Sequence, residues 1–363
     1  MRIMDITPYV HSRSGGIKTY LRQKSFFMER VGFEHILVIP AKTGDLKLSP
    51  STKVIKLSSF PLMAGYRFFL NPKEILRVVG RERPHLVEMG GTYLILHVLK
   101  GIPEVPTVVF YHSDAVGELY HTKLPSSMKK ILLSKMVEAV NKYAHTVLVP
   151  SRQHMDSLVD LGVRRELLRY LPLGVDTNVF YPNPQYRKDV CRVIYVGRLS
   201  HEKGVDIVLK AFSLLPPEDY TLTMVGAGPL EDLVRKEASR RPNVRYLGYV
   251  EDPESLADIY RQHHVLVTGS RYETFGYSLV EAQGCGLVVA GFNIGVETQL
   301  IKDTLAEDYS PEALAISIQK ACAIASYETA LHLHTLVKEN FSWENTFKNL
   351  TKLYEEVCHG VHR

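Results

Sequence analysis

The chain has no Asp-x-Asp motif, no Cys-x-x-Cys pair and no apolar run near the ~18 residues that a membrane-spanning helix needs. Each absence removes a class of protein. Without Asp-x-Asp a common oxygen-ligand pair for a divalent cation is missing, so metal-independent chemistry and no cofactor are expected. Cys191, Cys285, Cys322 and Cys358 are widely scattered, which disfavours structural zinc and points to buried free thiols in a reducing cytosol. Charge of either sign is not in large excess. A formal +5 over 363 residues allows an acidic ligand or an anionic membrane surface but demands no nucleic acid. No short repeat or low-complexity segment stands out. Asp5 falls where a secretory segment would be apolar, so no signal peptide and a cytoplasmic location are expected.

What is present is ordinary globular composition, 45% hydrophobic and 23% charged, in a chain long enough for two domains with their own cores. Strand-like runs alternate with helix-like stretches throughout, the pattern of parallel α/β architecture. Strands are predicted at 2–6, 35–40, 86–89, 107–112 and 146–151, then at 192–197, 221–226, 244–250, 265–270 and 287–292. Helices fall between them, for example at 203–214, 229–240 and 255–263. The halves read as two doubly wound domains that meet near Leu173-Gly174. In open sheets of this kind ligands bind at the carboxyl ends of the strands.

The stretch from Arg271 to Glu281 carries the most chemistry. The strand pattern ends at Ser270, and after Gly276 the apolar spacing becomes helical. Glu273 therefore sits in the turn and Glu281 about two turns up the helix. Eight residues at ~100° each return to within ~80° of the start, so both acids can look into one crevice. The N–H groups of the helix start lie between them and suit a diphosphate. An anion seat flanked by two hydroxyl-gripping carboxylates describes a sugar-nucleotide site.

Other motifs support or qualify this. In Val196 to Gly204 a strand end is followed by Arg198, a planar fork, and Lys203, a point charge, both suited to phosphate oxygens; the bland alternative is a solvated loop. Gly15-Gly16 follows the first strand, where the backbone can approach a ligand, or simply makes a turn. Gly226-Ala227-Gly228-Pro229 has two glycines of a dinucleotide fingerprint but Glu231 in place of the third, so NAD is rejected and a tight turn near a nucleotide kept. His112 closes a predicted strand and is either structural or a substrate contact. His263-His264 reads as structural, and His332 and His334 lie on different helix faces, which disfavours a metal pair. Residues 123–143 are basic and amphipathic: Leu124, Met128, Ile131, Leu132 and Met136 recur near helical spacing, with Lys129, Lys130 and Lys135 around them. This segment is either an ordinary surface helix or a dock for anionic lipid.

Together these residues resemble the retaining glycosyltransferase family 4, the glycosyl transferase group 1 enzymes of the GT-B fold. The resemblance rests on Gly15-Gly16, Gly174-Val175-Asp176, Val196 to Gly204, Val225 to Pro229, Glu273 to Gly286 and Phe341-Ser342-Trp343-Glu344. It implies two facing Rossmann-like domains with a cleft between them, 1–173 and 174–343, and a last helix within 344–363 that crosses back to the first domain. It also implies roles. Glu273 would contact the donor sugar and Glu281 the ribose, while Phe275, Gly276 and Tyr277 would lend backbone N–H groups. Arg198 and Lys203 would bind the diphosphate, with Gly226 nearby and Gly15 and Gly16 approaching from the other domain. His112 would touch the transferred sugar. The chain departs from the usual pattern at Ala227, Leu287 and Leu173, none of them a charged site residue.

The expected function is a metal-independent, retaining hexosyl transfer from a sugar nucleotide to an acceptor hydroxyl by same-face attack. Glu-Thr-Phe-Gly resembles members that use GDP-mannose or other hexose nucleotides, so GDP-mannose is the first expectation and UDP-glucose the next. The acceptor, a glycan, a lipid or a small metabolite, stays open. The alternatives are a GT-B epimerase or hydrolase, or a non-catalytic nucleotide-sugar-binding subunit.

Overall fold

A computed structural model describes residues 1–8, 10, 16–43, 46–61, 67–102, 104–111, 125–183 and 190–360, without the side chains of 92 and 93. It divides into two units, Met1–Leu173 with Trp343–Arg363, and Gly174–Ser342. His112 and Gly15, both expected in the site, lie outside the described residues.

The first unit is built on a seven-stranded sheet. Its strands are β1 (Arg2–Ile6), β2 (Glu34–Pro40), β3 (Lys53–Leu57), β6 (Leu86–Gly90), β7 (Thr107–Phe110), β8 (Thr146–Val149) and β9 (Leu168–Tyr170), in the order β3-β2-β1-β6-β7-β8-β9. Every pairing in it is parallel. A small antiparallel hairpin of β4 (Ser59–Pro61) and β5 (Arg67–Phe69) stands beside it. Strands buried on both faces read as continuous apolar runs, and β2 shows this in burying all but its first residue. β3 and β9 went unforeseen because they are short edge strands with half their side chains in solvent, which weakens the apolar signal. The Trp343–Gly360 helix belongs to this unit; Trp343, Phe347, Leu350 and Tyr354 form its buried stripe.

That helix also completes a buried charged cluster that the sequence did not announce. Lys24 Nζ, wholly buried, lies 2.6 Å from Asp5 Oδ1, 3.0 Å from Glu88 Oε1 and 2.7 Å from the Tyr354 hydroxyl. Tyr20 and Tyr354 both donate to Glu88, and His35 Nε2 meets Asp5 Oδ2 at 2.9 Å. Burial works against the Asp5 carboxylate, but the charge of Lys24 and the hydrogen bond from His35 outweigh it and hold its pKa at about 2. At Glu88 burial dominates and the pKa is raised.

The second unit is a five-stranded parallel sheet. Its strands are β10 (Cys191–Val196), β11 (Tyr220–Val225), β12 (Val244–Gly248), β13 (Val265–Val267) and β14 (Val288–Ala290), in the order β12-β11-β10-β13-β14. Successive strands run outward on one side of β10 and then on the other, so the order reverses between β10 and β13. Its helices begin where caps dictate. Asp252 accepts from Ser255 N at 2.9 Å, with Pro253 opening the helix, and Ser310 caps the Pro311–Ile324 helix from Ala313 N at 3.1 Å.

One expectation fails here. Two of the four cysteines are not free: Cys191, at the start of β10, is joined to Cys322, on the Pro311–Ile324 helix, with 6.2 Å between Cα atoms. Their separation of 131 residues hides the pairing in sequence; packing that helix against the sheet creates it. Cys285 and Cys358 are the free thiols.

Candidate functional site

Ligands of open α/β sheets sit outside the carboxyl ends of the strands where the strand order reverses. In the second unit that point lies between β10 and β13, and the loops leaving those strands carry the charged residues singled out above. They touch at two glycines. Gly204 has a left-handed φ of 66°, and a Cβ there would come within 2.1 Å of the Gly269 carbonyl oxygen. Only a residue without a side chain permits this approach. It draws Lys203 and Glu273 together, Nζ to Oε1 2.7 Å, both partly shielded from solvent.

Arg198 stands at the exit of β10. Its carbonyl accepts from the hydroxyl of Tyr195 at 2.8 Å, and its guanidinium reaches Glu202 Oε1 at 3.3 Å while remaining largely exposed. Burial pushes the Tyr195 hydroxyl far above its usual pKa, and the charges of Glu273 and Glu202 add to the effect. Tyr195 is thus a fixed neutral prop beneath the turn that carries Arg198. Sequence reading passed over it as strand core.

Gly226, at the end of β11, packs directly on β10: a Cβ would fall 1.9 Å from the Gly197 carbonyl oxygen. Backbone packing alone therefore requires glycine at this position.

The turn after β13 is braced from several sides. Ser270 Oγ donates to the Tyr272 carbonyl at 2.8 Å, and Thr298 Oγ1 to the Phe275 carbonyl at 2.7 Å. The Arg271 guanidinium stacks 3.5 Å over the Tyr309 ring. Phe275 is core, edge-on to Tyr277 and to Phe341 at 5.1 and 5.9 Å, so only its backbone is available to a ligand. Gly276, left-handed at φ 79°, caps the Tyr277–Gly284 helix, whose first N–H groups have no intrahelical acceptors.

Glu281 lies nearer the helix start than expected. Because the helix opens at Tyr277, Glu281 is about one turn in, not two. It is half-buried, with the Tyr260 hydroxyl 3.4 Å from Oε2. Burial raises its pKa to about 7, and the Tyr260 hydrogen bond offsets only part of this. The charge of Glu281 in turn adds to the burial that raises the Tyr260 and Tyr277 hydroxyls. Tyr260 carried no sequence signal, and Tyr277 was expected in the site for its backbone N–H alone. His263 is held between the Ile259 carbonyl at 2.7 Å and Thr223 Oγ1 at 2.8 Å, and His334 bonds the Gly284 carbonyl at 2.8 Å.

The structure therefore places Arg198, Lys203, Gly226, Glu273, Phe275 and Gly276 on the loops after β10, β11 and β13 of one unit and Tyr277 and Glu281 on the helix that follows, with Lys203 and Glu273 in contact. Gly16 opens the Gly16–Arg30 helix after β1 in the other unit. Among the described residues no group of three or more His, Cys, Asp or Glu is arranged to hold a metal, and no helix is long and apolar enough to cross a membrane.

Known proteins share this architecture. Residues 14–179 match the profile of Glycosyltransferase Family 4 and residues 183–332 that of Glycosyl transferases group 1. A human phosphatidylinositol N-acetylglucosaminyltransferase subunit is 22% identical over 97% of this chain and 75% of its own length. The GDP-mannose-dependent alpha-(1-6)-phosphatidylinositol dimannoside mannosyltransferase of Mycobacterium tuberculosis is 23% identical over 88% of this chain and 87% of its own. The crystal structure of Anabaena HepE in complex with UDP superimposes with a TM-score of 0.79 at 18% identity, covering 98% of this chain and all of that one; a likeness at that identity speaks to the fold, which is GT-B. With both profiles together spanning most of the sequence, the chain belongs to glycosyltransferase family 4.

Proposed function

We propose that the protein is a retaining hexosyltransferase that moves a hexose from a nucleoside diphosphate to an acceptor hydroxyl without a divalent metal. The observation that carries this reading is the Lys203–Glu273 pair, 2.7 Å apart at the sheet reversal, beside the helix start at Gly276. An ammonium and a carboxylate so placed can exchange each other for the two halves of a sugar nucleotide. Lys203 takes phosphate oxygens and Glu273 takes sugar hydroxyls. Arg198 and the N–H groups near Gly276 supply further positive charge where the leaving diphosphate gathers its own in the transition state. Neither site carboxylate is left over for a covalent intermediate, since on this reading Glu273 holds sugar hydroxyls and Glu281 is paired with the Tyr260 hydroxyl. This favours same-face attack, the departing phosphate taking the acceptor proton.

GDP-mannose is the first donor to test. One relative is GDP-mannose-dependent by name and one structural neighbour holds UDP, so uridine donors follow. Two relatives named for phosphatidylinositol and phosphatidylinositol dimannoside put a phosphate-bearing acceptor beside glycans and small metabolites. Melting-temperature shifts with GDP-, UDP- and ADP-sugars in EDTA test the donor site. One nucleotide class should stabilise the protein, and the anomeric configuration of the product should match the donor; stabilisation only on adding a divalent ion, or an inverted product, removes the reading.

A peripheral contact with anionic membrane goes with this function, and with it a cytoplasmic location. On the Ser126–Tyr143 helix, Met128 and Ile131 are exposed beside Lys130 and Lys135. Apolar side chains flanked by lysines suit an acidic lipid surface. Sedimentation with anionic liposomes should be lost in a Lys129, Lys130, Lys135→Glu variant; equal pelleting would remove this part.

A further inference from the structure

The Arg152–Asp160 helix rises from the carboxyl end of β8 in the first unit, and its N-terminus has an unusual feature. Ser151 occupies the N-cap in the extended conformation of a capping serine, φ −141° and ψ 140°, yet its side chain makes no capping bond. The residue is 1% exposed and its hydroxyl has no hydrogen-bond partner. A hydroxyl buried in this way has given up its hydration for no bond in return. The usual remedy, a bond to a backbone N–H in the first turn, is not made.

Two further observations point the same way. The first turn of the helix carries no acidic residue, so its positive end is not neutralised from within. Arg152, the first helical residue, lays its guanidinium over the Tyr170 ring, 4.7 Å from the centroid. Tyr170 ends β9, which pairs in parallel with β8. The oriented cation and the helix N-terminus therefore stand at the same carboxyl edge of the sheet, where α/β domains bind ligands. A hydroxyl that lacks an acceptor, a helix N-terminus and a held guanidinium share one complement, an oxyanion with several oxygens on one centre. One oxygen can take Ser151 and the helix N–H groups while another takes the planar fork of Arg152.

We propose that Ser151, Arg152 and the N-terminus of this helix form the seat for a phosphate group on the acceptor substrate. The inference rests on the transferase reading above and adds the acceptor class, a polyol phosphate monoester or diester. The phosphate chemistry is shared by a soluble sugar or inositol phosphate and by a phosphoinositide headgroup.

The test uses the full chain and two probes. Calorimetry with myo-inositol 1-phosphate, against inositol as control, reports the soluble source. Flotation with phosphatidylcholine vesicles, with and without phosphatidylinositol, reports the lipid one. Wild type should bind at least one of the two inositol phosphates, the soluble monoester or the lipid headgroup, and neither inositol nor vesicles of phosphatidylcholine alone. R152Q should weaken that binding ten-fold or more, and S151A three-fold or more with recovery in S151T. Equal affinities in wild type and R152Q, or no binding of either probe by wild type, would overturn the proposal. Donor-induced melting shifts, read in parallel, come from the other unit and should persist in both variants. Their absence in wild type would count against the donor site and leave the phosphate seat to be judged on its own probes. Should S151A fail to fold, R152Q and R152K decide alone.

Discussion

Lys203 and Glu273, 70 residues apart in sequence, are bonded at 2.7 Å across the gap where β10 and β13 diverge. Each holds the other, so on the proposed reading a donor separates them. The pair has a direct kinetic consequence.

Replacing Lys203 by alanine removes the cation that would follow the phosphate and leaves Glu273 without its partner. Turnover should fall about 10²-fold or more, as for loss of a preorganised transition-state contact. Arg198→Ala should act in the same direction, and Glu281→Ala should mainly raise the donor KM. Steady-state kinetics on the three variants check this; unchanged kcat in both cation variants would remove the diphosphate assignment.

Two groups of the second unit carry opposite pH dependences. His263 has its pKa lowered to about 4 by burial, and Glu281 has its pKa raised to about 7 by burial. Between pH 4 and 6.5 the unfolded state binds the His263 proton and the folded state does not, so this group makes stability rise with pH. Between pH 4.5 and 7 the folded state keeps the Glu281 proton and the unfolded state does not, so that group makes stability fall. Each effect is worth about 3 kcal/mol over its window, and in the wild type they largely cancel. Relative to wild type, Glu281→Gln should therefore gain stability as pH rises through 4.5 to 7, and His263→Gln should lose it from 4 to 6.5. Urea midpoints across this range decide; parallel curves for all three proteins would contradict the assignment.

The Cys191–Cys322 link closes a long loop, and such links stabilise by about 2–4 kcal/mol. Alkylation of the denatured, unreduced protein should label Cys285 and Cys358 only, and labelling should reach all four cysteines after reduction. Reductant should lower the melting temperature of wild type and leave a Cys191→Ser variant unmoved. Four reactive thiols without reduction would contradict the link.

The buried cluster around Lys24 fixes the last helix. Lys24→Met would leave Asp5 and Glu88 together in the core without their shared cation, a loss of about 3–5 kcal/mol. Tyr354→Phe removes one hydroxyl from Glu88 and from Lys24 and should cost about 1–3 kcal/mol. Chemical denaturation of the two variants should rank them in that order, with the Trp343 fluorescence change reporting release of the helix.

The alternation of strands and helices, the two doubly wound sheets and the loops that carry the charged residues were legible in the chain. Apolar period and glycine placement are local properties, and they alone put Arg198, Lys203 and Glu273 at strand ends. Glu281 was assigned to the right helix but too far along it, because the onset at Tyr277 depends on how Gly276 turns. Tyr195 and Tyr260, and the hydroxyl of Tyr277, could not be foreseen, since a tyrosine in an apolar run looks the same whether or not its hydroxyl meets a site.

Sequence by itself determined which residues stand at the ends of which elements. Tertiary structure decided which of them meet. Strand order alone puts β13 beside β10 and so joins Lys203 to Glu273. Helix packing alone brings Cys322 to Cys191 and Tyr354 to Lys24, across separations of 131 and 330 residues. Local pattern encodes the periodicity and burial of one segment. A bond between distant segments exists only once the core has fixed their order, and no short-range preference records it.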